Sequence, residues 1–228
     1  MRLFCLLSIG ILLGSCSKNN PVIESPEIIP SDEPSLEAPF GFSPVVFPDD
    51  NPYSKEKWEL GKRLFFDPML SEDFSISCAS CHEPTLAFSD NLAVSKGVGG
   101  IDGRRNAPSL SNLSYHPYYT REGGIPTLEM QVLIPIQEHD EFNFNIVLVA
   151  ERMAEDPSYV EASLEIFGRE PDAYVITRAI ATFERTLISG QSPYDYFQET
   201  GIGLTEAQLN GLELFFSEAT NCSNCHGG

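Results

Sequence analysis

The sequence predicts a mainly α-helical protein, and three observations lead to this fold class. Several runs place apolar residues three or four positions apart, which puts them on one face of a helix. These runs begin after serine, threonine or aspartate and stop at glycine or proline, the residues typical of helix ends. No run sustains the alternation of apolar and polar residues that predicts a half-buried strand.

The composition sets the class of protein and excludes one class of partner. The chain has 228 residues, of which 42% are hydrophobic, enough for a globular core. Its formal net charge of −19 argues against nucleic-acid binding, which requires a basic surface. The same charge would attract a basic protein partner, although it could equally serve only to keep an exported protein soluble.

The N-terminus has the pattern of an export signal. Arg2 precedes an apolar run of roughly eleven residues, which is too short to span a membrane and typical of a signal peptide. The run ends in LGSC, which resembles a lipoprotein cleavage box. We therefore expect residues 1–15 to be removed and Cys16 to be lipidated, with ordinary secretion as the alternative. Either route places the protein outside the cytoplasm, in the periplasm or cell envelope.

Residues 16–52 predict a tether between the membrane and the folded part. This segment is dense in proline and acidic residues and shows no apolar period. Such a chain cannot bury enough surface to offset the entropy lost on ordering. Proline stiffens it, so we expect it to hold the folded part away from the membrane.

Folded structure is predicted from Tyr53 onward. Ser54 is a plausible N-cap for a first helix that stops at Asp67-Pro68. Glycine and proline make the stretch between His82 and Gln131 rich in loops. Further helices are predicted over Ile146 to Glu155, over Tyr159 to Phe167, from Asp172 to before Gly190, and from Thr205, which forms a capping box with Gln208.

Two copies of Cys-x-x-Cys-His carry the chemistry. The first consists of Cys78, Cys81 and His82, and the second of Cys222, Cys225 and His226. This pattern is the attachment signature of a c-type haem, because thiols three positions apart share one face of a helical turn and the next histidine can bind the iron. A zinc site or a redox dithiol is the alternative for Cys-x-x-Cys. The histidine after each copy favours two covalently attached haem c groups.

An amphipathic helix precedes each motif, which predicts a cytochrome c-like haem domain used twice in the complete protein. Residues 53–200 form the first domain, and residues 201–228 begin the second. Gly228 follows His226 so closely that nothing in this sequence would cover the second haem. An uncovered haem would expose a large apolar patch, so we expect the chain to be truncated.

The sequence resembles the bacterial di-haem cytochrome c peroxidase family, which includes enzymes that mature methylamine dehydrogenase. The matching stretches are LGKRLFFD at 60–67, SCASCH at 77–82, RNAPSL at 105–110 and LEMQ at 128–131. The resemblance implies that the first haem reduces hydrogen peroxide to water. It also implies that the second haem receives electrons from a small cytochrome c or a copper protein, and it leaves a homodimer open.

The resemblance also implies roles for three further residues. Glu141 is expected to act as the acid/base that moves a proton, and Gln131 to hydrogen-bond peroxide and orient it. The alternative for Glu141 is a solvated loop carboxylate, since Glu138 and Asp140 are adjacent and equally acidic. Asn106 matches a residue that helps hold a calcium ion between the haems of the family.

Two positions depart from the family pattern. Arg121 occupies the slot of a tryptophan that lies between the haems in many members, and a guanidinium is a poor electron relay. Tyr118 and Tyr119 are the nearby aromatic side chains. The loop at residues 96–99 lacks the histidine that blocks the iron in well-studied members, so the first haem is expected to be active without prior reduction.

Three functional classes remain open at this point. The first is a peroxidase, the second a di-haem enzyme that oxidises an organic or protein substrate, and the third an electron-transfer cytochrome without catalysis. Gln131 and Glu141 favour an enzyme, because electron transfer alone requires no distal acid/base. Arg121 weakens the first class relative to the second.

Overall fold

The computed structural model describes residues 34–226, and within them the chain is helical. It forms nine α-helices and five short 3-10 turns, with isolated β-bridges and no sheet among these residues. The predicted mainly α fold is therefore confirmed. No helix in this part of the chain is long and apolar enough to cross a membrane. The predicted signal peptide, Cys16 and the first half of the tether lie outside the described residues.

The helices follow the predicted order, with some differences in their bounds. They are α1 (Lys55–Phe66), α2 (Cys78–Cys81), α3 (Leu128–Gln131), α4 (Leu133–Gln137), α5 (Ile146–Glu155), α6 (Pro157–Phe167), α7 (Ala173–Glu184), α8 (Pro193–Thr200) and α9 (Glu206–Phe216). Helix α6 begins two positions earlier than predicted, because Asp156 caps it and proline is accepted in the first turn. Helices α3, α4 and α8 were not predicted.

The core is built where α1 crosses α7. A Cβ on Gly61 would overlap the carbonyl oxygen of Ala179, so only glycine allows the two helices to approach this closely. Fully buried residues line both helices, among them Leu64, Phe65, Ile176 and Ile180. The apolar stripes predicted on these helices therefore face each other.

The folded part begins before residue 53, which corrects the predicted end of the tether. Asn51 is fully buried and donates to Glu129 Oε1 at 2.7 Å and to the Arg178 carbonyl at 3.1 Å. Farther back, Pro39 packs against Gly190, and the Ser43 carbonyl accepts a hydrogen bond from Tyr115. A polar residue flanked by prolines gives no periodic signal, so the sequence did not reveal this packing.

The stretch between α2 and α3 is irregular, as predicted. Three isolated antiparallel bridges give it local order: Glu83 with Ser89, Lys96 with Asp102, and Tyr119 with Ile125. Asn112 fixes it to the segment after α7, since its side chain donates to the Ser189 carbonyl at 2.9 Å and accepts from the Ser189 N–H at 2.8 Å. The loop is thus held beside the end of α7.

The predicted helix before the second motif is confirmed as α9. Thr205 and Gln208 form the capping box that the sequence indicated. The apolar side chains of Leu209, Leu214 and Phe216 are exposed, in contrast to the buried stripe of α1. This helix therefore has no partner for its apolar face within the described residues.

Candidate haem site

The first motif lies on α2, a single helical turn. Ser77 and Ser80 cap it reciprocally, and the Ser77 N–H donates to Ser80 Oγ at 3.0 Å. The cysteines at the first and last positions of the turn share one face. The His82 N–H donates to the Cys78 carbonyl at 2.9 Å and places the histidine directly after the turn.

The ring of His82 is oriented for metal binding. Its Nδ1 lies 2.9 Å from the Phe88 carbonyl oxygen, so Nδ1–H is the donor and Nε2 keeps its lone pair. Burial lowers the pKa of His82, which favours the neutral form that binds iron. Ala87 and Phe88 both have positive φ angles, 55° and 58°, in the turn that supplies this carbonyl. Such backbone strain is typical of functional sites.

The two thiols lie in surroundings that suit thioether bonds. Cys78 packs against both main apolar clusters of the core. Burial raises the pKa of the Cys78 thiol and raises that of Cys81 to about 11. These environments disfavour the thiolate that zinc or redox chemistry requires. The described residues also contain no group of three or more His, Cys, Asp or Glu side chains that could hold a metal ion.

This donor set fits a c-type haem. Cys78 and Cys81 would be bonded to the porphyrin, and His82 would bind the iron through Nε2. The apolar clusters that Cys78 packs against give the attachment site apolar surroundings, which suit a porphyrin.

Glu141 lies on the side of this pocket. Its charge is close enough to raise the pKa of both Cys78 and Cys81. Partial burial raises the pKa of Glu141 itself, and the neighbouring charges of Asp140 and Glu138 raise it further. The residue is nevertheless exposed to solvent, so its carboxyl can exchange protons.

The loop after the first motif packs directly on the Glu141 segment. The Val98 N–H donates to the Glu141 carbonyl at 2.9 Å, and a Cβ on Gly97 would collide with the Asp140 carbonyl. On its other side, Cys81 Sγ lies 4.0 Å from the Lys96 carbonyl. The loop therefore bridges the motif and Glu141.

Gln131 ends α3 and is half-buried. Its side chain makes no hydrogen bond to another residue in the described part of the chain. Helix α4 and a turn that folds back on it separate Gln131 from Glu141, with the Phe142 N–H donating to the Pro135 carbonyl at 3.1 Å. The structure thus places Glu141 next to the motif but shows no contact between Gln131 and either of them.

Asn106, the residue predicted to help hold calcium, is hydrogen-bonded to Arg121 in this structure. Asn106 Oδ1, the oxygen that would bind calcium, accepts a hydrogen bond of 2.8 Å from Arg121 Nη2. The adjacent Arg105 forms an ion pair with Glu122. Arg121 therefore already supplies a positive charge to Asn106, and calcium at this residue stays an untested prediction.

The second motif repeats the backbone pattern of the first. Residues Cys222–Asn224 form a 3-10 turn, and the His226 N–H donates to the Cys222 carbonyl at 2.9 Å, as His82 does to Cys78. Cys225 and His226 are exposed, whereas Cys78 is half-buried and packs against the apolar core clusters. The described residues thus surround the first motif far more completely than the second.

Sequence reasoning missed the charged residues at the end of α7. Arg185 and Glu129 form a buried pair, with Nη1 to Oε1 at 2.5 Å and Nη2 to Oε2 at 2.8 Å. Glu184 is buried beside them, and its Oε2 has no hydrogen-bond partner. The available signal was a Glu-Arg pair at the end of a strongly apolar helix.

Comparisons with known proteins agree with this site. A family model described as di-haem cytochrome c peroxidase matches residues 55–201. The methylamine utilization protein MauG of Methylorubrum extorquens is 40% identical over 187 residues, covering 80% of this chain and 52% of the relative. The cytochrome c551 peroxidase of Pseudomonas aeruginosa is 34% identical over 181 residues, covering 78% of this chain and 52% of the relative.

A solved structure also matches the fold. The crystal structure of a MauG-like protein associated with microbial copper homeostasis superposes with a TM-score of 0.79 and 34% identity. The match covers 85% of this chain and 58% of that one. The chain spans about half the length of the curated relatives it matches.

Proposed function

The chain belongs to the di-haem cytochrome c peroxidase family, and from this premise we propose that the complete protein reduces hydrogen peroxide to water. Its electrons would come from a small cytochrome c or a copper protein. Both haems would be attached covalently, the first through Cys78 and Cys81 and the second through Cys222 and Cys225. The orientation of His82, with Nδ1 committed to the Phe88 carbonyl, is the observation that carries the proposal.

Three residues would each have a separate role in peroxide reduction. When bound, the haem supplies the iron that binds peroxide and exchanges electrons with it. His82 would bind the iron through Nε2, and its hydrogen bond to the Phe88 carbonyl keeps the ring in one orientation. Glu141 would take the proton from one peroxide oxygen and deliver it to the other, for which a pKa raised toward neutrality is suitable. Gln131 would orient the peroxide.

A second candidate is a maturation enzyme that oxidises an organic or protein substrate. The specific observation in its favour is Arg121, which lies in the tryptophan slot and is held by Asn106 at 2.8 Å. The relative named for methylamine utilization is 40% identical, more than the peroxidase of Pseudomonas at 34%. An electron-transfer cytochrome without catalysis is the weaker candidate, because it would require neither Glu141 nor its raised pKa.

The proposed location follows from the leader. We propose export to the periplasm or cell envelope, with a lipid anchor on Cys16 that keeps the protein at the membrane. Palmitate labelling of the complete protein, with Cys16→Ser as the control, tests this proposal. Absence of label from the wild-type protein would leave simple secretion.

The function is tested by peroxide-dependent oxidation of a reduced small cytochrome c by the complete, haem-loaded protein. Glu141→Gln is compared with Glu138→Gln, which removes the same charge three positions away. We expect a loss of about 100-fold or more in kcat for Glu141→Gln and little change for Glu138→Gln. No turnover by the wild type with both haems present would reject the peroxidase and favour the maturation enzyme.

A further inference from the structure

Glu184 is a buried acid that none of the roles above uses. It ends α7, it is 6% exposed, and its Oε2 lies in the interior with no hydrogen-bond partner among residues 34–226. Burial of an unpaired carboxylate oxygen is costly, so an unexplained one in a native fold points to a function or to an absent partner. The location of the Glu184 side chain indicates which function it could have.

The side chain lies between the first haem motif and a buried ion pair. Its charge raises the pKa of the Cys78 thiol and that of Tyr119, which places the carboxyl within electrostatic reach of the attachment site. The neighbouring Arg185 does not neutralise it by pairing, because both terminal nitrogens of that guanidinium bond Glu129. Phe183, the residue before Glu184, packs in the same apolar cluster as Cys78. Glu184 is thus a buried carboxyl group without a paired counter-ion near the attachment site.

The other charged and titratable groups around this end of α7 are hydrogen-bonded, ion-paired or unable to titrate. Lys57 on α1 donates to Asn51 and to the Pro52 carbonyl, and its pKa is lowered by burial. The remaining groups are Cys78 on α2, Glu129 on α3, Arg185 after α7, and Tyr119 in the loop. A thioether at Cys78 does not titrate, and the Glu129–Arg185 pair is fixed by two hydrogen bonds. Among these groups Glu184 is left as the one able to change charge, and Glu141 is the other titratable acid whose charge reaches Cys78.

We propose that Glu184 couples the redox state of the first haem to the binding of one proton. Oxidation of the ferrous iron removes one electron and adds one positive charge to the pocket. In this low-dielectric interior the added charge favours loss of a proton from Glu184, and reduction by one electron returns that proton. The electron passes to or from the donor protein, and the proton passes to solvent. The proposal rests on haem attachment at the first motif and does not require peroxide reduction.

The protonation state of the side chain is consistent with this role. Burial raises the pKa of Glu184 to about 8, with Arg185 lowering it and Glu129 raising it. The carboxyl is therefore mostly protonated at neutral pH and within reach of titration. As the pH rises through this range, the carboxylate stabilises ferric iron, so the reduction potential of the first haem falls.

The test is a redox titration of the complete, haem-loaded protein at pH values well below and well above 8. Two one-electron components are expected, one for each haem. In the wild type, the component of the first haem falls in potential as pH rises. The part of this fall near pH 8 is lost in Glu184→Gln and kept in Glu141→Gln, while the other component is unchanged. Glu59→Gln, which removes an exposed carboxylate from α1, is expected to behave as the wild type.

Further outcomes separate the proposal from a structural role. An unchanged pH dependence in Glu184→Gln, or an equal change in both components, would overturn it. Should Glu184→Gln fail to load haem, Glu184→Leu gives the same test without a buried polar group. Should both fail, redox-induced infrared difference spectra of Glu141→Gln decide, because that variant keeps Glu184 and lacks the other acid beside the motif. Loss of a protonated carboxyl band on oxidation supports the proposal, and a spectrum without such a loss contradicts it. A measured potential without peroxidase activity would reject only the function proposed earlier.

Discussion

At the scale of single residues, the candidate site is governed by hydrogen bonds and burial that set charge states. His82 is kept neutral by burial and oriented by one backbone carbonyl. Glu141 has its pKa raised by partial burial and by two neighbouring carboxylates. A proton acceptor must be ionised before it can work, so the raised pKa of Glu141 has a direct consequence for activity.

We expect peroxide reduction to fall as the pH decreases through the raised pKa of Glu141, because the protonated carboxyl cannot accept a proton. The acidic limb of kcat/KM against pH should therefore lie above the range of an ordinary glutamate. Glu138→Gln and Asp140→Asn each remove a like charge, so each should move this limb to lower pH. A limb that does not move in either variant would exclude Glu141 as its origin.

At the scale of elements, the α1–α7 crossing positions the first motif. Helix α2 follows α1 after a connection over residues 67–77, and α7 ends at Glu184, whose charge reaches Cys78. The crossing depends on Gly61, where the helix backbone lies against the Ala179 carbonyl. Close packing of this kind does not tolerate an added methyl group, because the backbone itself would have to move.

Gly61→Ala should destabilise the holoprotein by about 3 kcal/mol, despite the higher helix propensity of alanine. Gly124→Ala is the control, since its φ is not positive and nothing lies within 4 Å of its would-be Cβ. That control should change the stability by no more than about 1 kcal/mol. Urea unfolding followed by haem absorbance gives both values, and equal effects in the two variants would contradict the packing argument.

The sequence was informative where a local pattern has a single physical meaning. The stripes of α1 and α7, the capping box at Thr205 and the turn that carries Cys78 are all set by residues within one or two helical turns. It was uninformative where the partner is distant in the chain. Asn51 is buried by residues of α3 and α7, and the Phe88 carbonyl reaches His82 only through a left-handed turn.

At the scale of the whole molecule, one buried polar network joins segments far apart in sequence. Glu129 of α3 accepts hydrogen bonds from Arg185 after α7 and from Asn51 before α1, and Lys57 of α1 donates to Asn51. Burial alone would raise the pKa of Glu129. The hydrogen bonds from Arg185 and Asn51 have the larger effect, so the pKa of Glu129 is lowered. The network thus holds the segment before α1, helix α1, helix α3 and the end of α7 together.

Glu129→Gln should destabilise the holoprotein by about 3–5 kcal/mol, because it leaves the Arg185 guanidinium buried without a counter-charge. The double variant Glu129→Gln, Arg185→Met should recover part of this loss, since it removes the unpaired charge. Asp102→Asn is the matched control, because it breaks an exposed ion pair with Lys96 and should cost at most about 1 kcal/mol.

The pH dependence of stability provides a second test of the Glu129–Arg185 pair. A carboxyl whose folded pKa is lowered adds stability above its unfolded pKa and loses it as the pH falls through the folded value. The wild type should therefore lose stability on acidification more steeply than Glu129→Gln does. Parallel curves for the two proteins would show that Glu129 ionises equally in the folded and unfolded states, and the network would then stabilise the fold by packing alone.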